Sequence, residues 1–375
     1  MAFDGLGADD EERGDLLGGE ALGDEFEDLL LPFGDGTCGR AVADAGAVGD
    51  GPAAGTARLR VLYDRRMSVW RRSLDAAGIR EPGLRQDYDE QRDLVARARR
   101  TSYLAARLLL PRRMLPHAVA ATAVMHHGDD LLDTGPKPQR VAAWASWEQE
   151  VRKALDTGTS DDPLIRALLH TTAAYPRLRE TVEEYLSTAT TDLEFTGFAT
   201  EADYQAYVDA YSLPAFMLVA SLLGPEADDG RFRAACRTLM EGSQRLDFVN
   251  DLAEDLPEGR LGIPAETLAR FSVTVEDLAS GRASAGLREL VEDQIEAARV
   301  CLRAARELPV LGEGPGGVLL DSVIRIELLT ADAASARGAR LLRGSASPPV
   351  AGTLRVLLSA RRRAREGRGS RTAVT

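Results

Sequence analysis

The stretch "HHGDDLLDTG", residues 126–135, sets three aspartates, Asp129, Asp130 and Asp133, directly behind an apolar, alanine-rich run. On a helix Asp129 and Asp133 share a face, and like charges four residues apart weaken that helix unless something compensates them. A second acidic stretch, "DFVNDLAEDLPEGRLGIP" (247–264), repeats the pattern. Read as one helix, it carries Asp247, Asp251 and Asp255 along one side with Asn250 and Glu254 beside them. Leu246, Val249, Ala253 and Leu256 fall toward a core. Two such stripes facing each other call for a cation. Mg²⁺ suits them, because it takes hard oxygen ligands and is held by a few carboxylates together with substrate phosphates.

Around these clusters the chain reads as all-α. Helical spacing runs through "DEQRDLVARARRTSYLAARLLL" (89–110) and "RFRAACRTLMEGSQRLDFVNDLAEDL" (231–256), and alternating β-branched runs are almost absent. Pro and Gly gather between the helical stretches, at "REPG", "TGPKP" and "LGEGPGG". No fixed-period repeat is present. The expectation is one helical domain over 56–358, flanked by an acidic disordered tail at 1–55 and a basic disordered tail at 359–375.

Of the formal net charge of −13, residues 1–55 hold fourteen acids and two arginines, and 359–375 hold six arginines and one acid. One arginine cluster without interleaved aromatics does not point to nucleic acid, so none is expected as a partner. No apolar run is long enough to span a bilayer, which leaves at most peripheral membrane contact. Cys38, Cys236 and Cys301 are scattered and odd in number, suggesting no disulfide framework and a cytoplasmic protein.

Together the motifs resemble those of the squalene/phytoene synthase family. The first family motif is DxxxD-like, and here "DDLLD" spans 129–133. The second reads approximately QxxNxxRDxxED followed by GRxYLP. Here "QRLDFVNDLAED" spans 244–255 and "GRLGIP" spans 259–264. "TSYLAARLLLP" (101–111) resembles the family's Ser-Lys-Ser-Phe segment, and "IRIELL" (324–329) sits where the family has a tyrosine-bearing helix. The resemblance covers about 95–345. It implies a single isoprenoid-synthase-type domain with a central cavity, in which Mg²⁺ and prenyl diphosphate bind. It assigns Asp129, Asp130, Asp133, Asp251, Glu254 and Asp255 to metal. Ser102, Tyr103, Gln244, Asp247, Arg260 and Arg325 are assigned to substrate.

The departures matter as much. His126 stands where the family has a diphosphate-binding arginine, Asn250 where it has the motif arginine, and Asp247 where it has asparagine. Thr122, Gly262 and Arg325 replace tyrosines. Neither asparagine nor neutral histidine supplies arginine's charge and fork. The expected reaction is therefore transfer of an allylic cation from one prenyl diphosphate to a small acceptor lacking a diphosphate, an aromatic ring in secondary metabolism. His126, His127 and Asn250 are the expected catalytic residues, a histidine taking the released proton. Head-to-head squalene or phytoene synthesis is the alternative. A terpene cyclase, using Asn250, Glu254 and Glu258, is a weaker one. An HD-type phosphohydrolase is disfavoured because Gly128 separates His127 from Asp129.

Overall fold

The computed structural model describes residues 69–225, 230–282, 284–312 and 314–372. Contacts divide the chain into Met1–Arg71 and Arg72–Thr375. The first unit is described only at 69–71, and the helical domain is the second. The acidic tail expected at 1–55, and the domain start expected at 56, lie outside the described residues.

Among the described residues there is no strand. The first half of the unit holds α1 (Pro82–Ala98), α2 (Arg100–Leu109), α3 (Leu115–Asp133), α4 (Lys137–Thr157), α5 (Pro163–Ala174) and α6 (Arg177–Thr188). A 3₁₀ turn, Ala189–Glu194, leads to α7 (Glu201–Tyr207), a π-helical turn (Val208–Ser212) and α8 (Leu213–Ala220). The second half holds α9 (Gly230–Asn250), α10 (Leu252–Asp255), α11 (Ala265–Arg270), α12 (Val275–Ala279), α13 (Ala285–Ala304), α14 (Leu308–Leu311), α15 (Pro315–Arg337) and α16 (Val350–Thr372).

Helices α1, α3 and α5 pack together, as do α9, α13, α15 and α16, and α8 touches both α3 and α9. Helix α13 shows why the sequence patterning works. Leu287, Leu290, Val291, Ile295, Ala298 and Leu302 recur at three- and four-residue steps and are all buried in the main core. In the first group, buried Tyr88 binds Thr171 Oγ1 at 2.8 Å and His170 Nδ1 at 3.0 Å, beside His117. Burial pushes His117 down to about 4, so it packs as a neutral ring.

Two helix boundaries differ from the periodic reading. The run 89–110 breaks at Arg99 (φ −128°, ψ 52°), which separates α1 from α2. The acidic run breaks at Asp251 (φ −99°, ψ 15°), so α9 ends at Asn250 and the short α10 begins after it. A third difference concerns the C-terminus. Residues 359–372, expected as part of a disordered basic tail, belong to α16. Leu357, Ala360 and Ala364 are buried at three- and four-residue spacing, while arginines occupy the positions between them. Within 359–365, Arg362, Arg363 and Arg365 lie on the solvent side of a packed helix.

Helices α9 and α13 approach closely at Gly242, where a Cβ would lie 2.9 Å from the Ala298 carbonyl oxygen. Alanine at an ordinary helix position stabilises by about 1 kcal/mol over glycine, whereas forcing extra volume against packed backbone costs about 1–3 kcal/mol. Gly242→Ala is therefore expected to shift the urea midpoint down, a net loss of up to about 2 kcal/mol. An unchanged midpoint would show that the two helices separate there at no cost.

Candidate active site

Both acidic stretches line one cavity of about 1040 Å³. Asp129 and Asp133 enter it from α3. Gln244 and Asp247 enter from α9, and Asp251, Glu254, Asp255 and Arg260 from the segment after it. The kink at Asp251 does not take the second stripe out of register, because Asp247, Asp251 and Asp255 all still reach the same space. Asp130 does not line it. That residue is exposed on the other side of α3 and accepts a hydrogen bond from Thr134 Oγ1 at 3.2 Å.

Several residues expected at the site lie elsewhere. Asn250 is buried and clamps the backbone of Ala346, accepting from its N–H at 2.8 Å and donating to its carbonyl at 3.1 Å. His126 and His127 are not among the cavity residues. His126 Nδ1 is buried without a partner, and His127 packs edge-on against Trp147. Burial lowers the pKa of both. Ser102 and Tyr103 lie on α2 outside the lining, and Arg325 is half exposed in an ion pair with Asp321 at 2.8 Å. Thr122 turns its hydroxyl back onto the Ala118 carbonyl at 2.8 Å.

Other residues enter the cavity without a sequence signal that singled them out. Arg99, freed from the helix by the break between α1 and α2, donates to Asp129 at 3.0 Å. Tyr211, on the π-helical turn, donates to the same carboxylate at 2.9 Å. Asp192, from the 3₁₀ turn, is only 1% exposed and accepts from Tyr207 at 2.7 Å and Arg260 at 2.9 Å. Its second oxygen, Oδ2, is buried and has no hydrogen-bond partner among the described residues. Arg260 also lies 3.7 Å from Asp133, so one guanidinium links the first acidic stretch to the 3₁₀ turn. Arg140, Glu258 and Glu327 complete the charged lining.

An aromatic wall stands beside these charges. Phe195 stacks on Phe248 with ring centroids 5.6 Å apart, and Phe198, Tyr204 and Tyr207 pack around them. This wall explains Gly262. A Cβ there would fall 1.9 Å from the Phe248 ring, so Phe248 occupies the space a side chain at 262 would need.

Crowded acids that are half dehydrated hold their protons. Burial pushes Asp129 up to about 6 against the pull of Arg99 and Tyr211. Asp255 is also pushed up to about 6, by burial and then by Asp251. Burial raises Asp133, with Asp192 adding to the effect, and it raises Asp251, with Glu254 adding. Asp247 opens onto the cavity but is walled by protein on its other sides, and burial followed by Asp251 raises it as well. These donors fit Mg²⁺. They are hard oxygens on two walls of one cavity. That arrangement suits an ion completed by substrate phosphates.

The family model for squalene/phytoene synthase matches residues 95–362. The chain belongs to the squalene/phytoene synthase family. Members of this family are prenyltransferases and use divalent metal ions for diphosphate ionisation. The bifunctional protein CrtB/UppS of Streptomyces coelicolor is 30% identical over 58% of this chain, which spans 38% of that relative's length. The 15-cis-phytoene synthase of Synechococcus elongatus is 25% identical over 58% of this chain and 73% of its own. In fold, squalene synthase HpnC from Alicyclobacillus acidocaldarius superposes with a TM-score of 0.61 at 24% identity, covering 72% of this chain and 99% of its own. A dehydrosqualene synthase gives 0.65 at 19% identity, covering 74% and 96%. The all-α isoprenoid-synthase fold expected from the resemblance is the fold observed.

The raised carboxylates set a pH signature. For a carboxyl group whose folded pKa exceeds its unfolded value, the ionised form costs the folded state. That cost is absent below the unfolded pKa and fully present above the folded one. Asp247 is raised from an ordinary 3.8. Metal-free Asp247→Asn is therefore expected to be more stable than the wild type at about pH 7.5, with the difference vanishing near pH 4. Paired thermal melts across that range check it. A variant less stable than the wild type at neutral pH would contradict the assignment.

Proposed function

We propose that this enzyme ionises a prenyl diphosphate in a Mg²⁺-dependent step and transfers the allylic cation to an acceptor without a diphosphate, an electron-rich aromatic ring. The observation that carries the reading is the convergence of both acidic stretches on one cavity. Asp129 and Asp133 from one wall, and Asp251, Glu254 and Asp255 from the other, would hold the metal. Bound Mg²⁺ would neutralise the charge that builds on the departing diphosphate. The residues around it have separate tasks. Arg99 and Tyr211 fix the Asp129 carboxylate, and Asp192 steadies Arg260 where a phosphate oxygen can meet it. The stacked Phe195–Phe248 pair offers π-faces to an allylic cation or a flat acceptor, and excludes water from both.

The choice of a neutral acceptor rests on His126 and Asn250 standing where the family has arginines. Each missing contact to a phosphate is typically worth about 1.5–3 kcal/mol. Asn250, committed to the Ala346 backbone, has no capacity left for a second diphosphate. Head-to-head condensation remains the second reading, because Arg99 and Arg140 bring positive charge to the cavity from other elements.

Diphosphate release from farnesyl or geranylgeranyl diphosphate is expected to require Mg²⁺ and stop in EDTA. Asp129→Asn and Asp251→Asn are each expected to slow it at least ~100-fold while leaving the melting temperature of the metal-free protein within a few degrees. Full activity in EDTA would refute the metal role. A second assay supplies each diphosphate alone, with and without NADPH, and again with flat aromatic acceptors. Efficient formation of squalene, phytoene or their cyclopropyl precursors from the diphosphate alone would establish the second reading.

A further inference from the structure

Whichever acceptor attacks the allylic cation, the reaction must end by losing a proton. The acceptor's π pair forms the new carbon–carbon bond, which moves the positive charge onto the acceptor. A neighbouring C–H bond then breaks, its electron pair closes the double bond or restores the ring, and the proton needs a base inside the cavity. His126 and His127 do not line it.

Most groups that do line it are committed. Tyr207 and Tyr211 are donors to Asp192 and Asp129, and burial raises both phenols well above their ordinary range, so they accept no proton. Asp192 is held by Tyr207 and Arg260, and Asp129 by Arg99 and Tyr211. Asp133, Asp251, Glu254 and Asp255 belong to the proposed metal set. Glu327 remains. It reaches the cavity from α15, a helix that carries neither acidic stretch, one turn from the apolar Val323 on the same lining. Among the described residues no donor reaches its carboxyl group and no cation opposes its burial. The charge that acts on it is Asp247, which lines the same cavity from α9. Burial, and then Asp247, holds the Glu327 carboxyl above the ordinary carboxylate range, so once ionised it takes up a proton readily. With no donor bound to it among the described residues, the Glu327 carboxylate can take up that proton without breaking a bond to the protein.

We propose that Glu327 is the proton acceptor that completes prenyl transfer. This rests on the prenyl-diphosphate reading above but not on the identity of the acceptor, since both coupling to a ring and cyclopropane closure release one proton. Ionisation and proton removal are separate events, so the two can be measured apart. The experiment compares the wild type, Glu327→Gln and Glu327→Asp with farnesyl and geranylgeranyl diphosphate and Mg²⁺. It follows diphosphate release, organic products by mass spectrometry, and melting temperature. Glu327→Gln is expected to melt no lower than the wild type, because it removes a buried acid, and to release diphosphate within about three-fold of wild-type rate. Its deprotonated product should fall about 100-fold or more, the usual scale of general-base catalysis, with water-captured prenyl alcohol in its place. Glu327→Asp should recover part of the lost product. An unchanged product mixture in Glu327→Gln would overturn the proposal and point to the departing diphosphate as base. Parallel loss of diphosphate release would also overturn it, in favour of a role in holding metal or substrate. A wild type that releases no diphosphate from any prenyl diphosphate would instead bring down the underlying reading, and this assignment with it.

Discussion

Mutual repulsion among the carboxylates of the cavity is the constraint around which the protein is organised. Asp129, Asp133, Asp192, Asp247, Asp251, Asp255 and Glu327 all reach one space. In a partly dehydrated site such charges interact far more strongly than in bulk water. The chain meets this in two ways. Arg99 and Arg260 neutralise the wall formed by Asp129, Asp133 and Asp192. The other acids keep protons to higher pH than free carboxyls do. Both devices leave the site in need of positive charge, which bound metal would bring.

Where the arginines come from shapes what the cavity can recognise. Arg99 sits at the break between α1 and α2, Arg140 on α4, and Arg260 after the second acidic stretch. Two of the three are already engaged with carboxylates, so the cavity has fewer uncommitted positive groups than its arginines suggest. Beside the charges stands the Phe195–Phe248 wall, which takes up the room that Gly262 leaves. Acidic walls and an aromatic wall in one cavity are what the proposed reaction needs, metal to draw off the diphosphate and π-faces rather than water around the cation.

Much of this was legible in the amino-acid order. Helical periodicity reports a local property, the burial of one helix face, and it revealed the all-α class because almost every segment obeys it. The spacing of Asp129 and Asp133, and of Asp247, Asp251 and Asp255, likewise depends on the helix repeat alone, and the kink at Asp251 was too small to spoil it. The C-terminal tail shows the limit of the same logic. Six arginines suggested disorder, but Ala360 and Ala364 hold that segment against the core, and an alanine carries little signal by itself.

The partners of the acidic groups were decided only by tertiary structure. Asp192, Tyr211, Arg99 and Glu327 belong to four different elements, and no local pattern distinguishes them from ordinary surface or core residues. Asn250 and the two histidines sit within or beside the motifs, yet a helix turns about 100° per residue, so neighbours in sequence face away from one another. Sequence by itself determined the helices and which carboxylates share a face. Packing decided which side of each helix meets the cavity, because that depends on the distant helices it lies against.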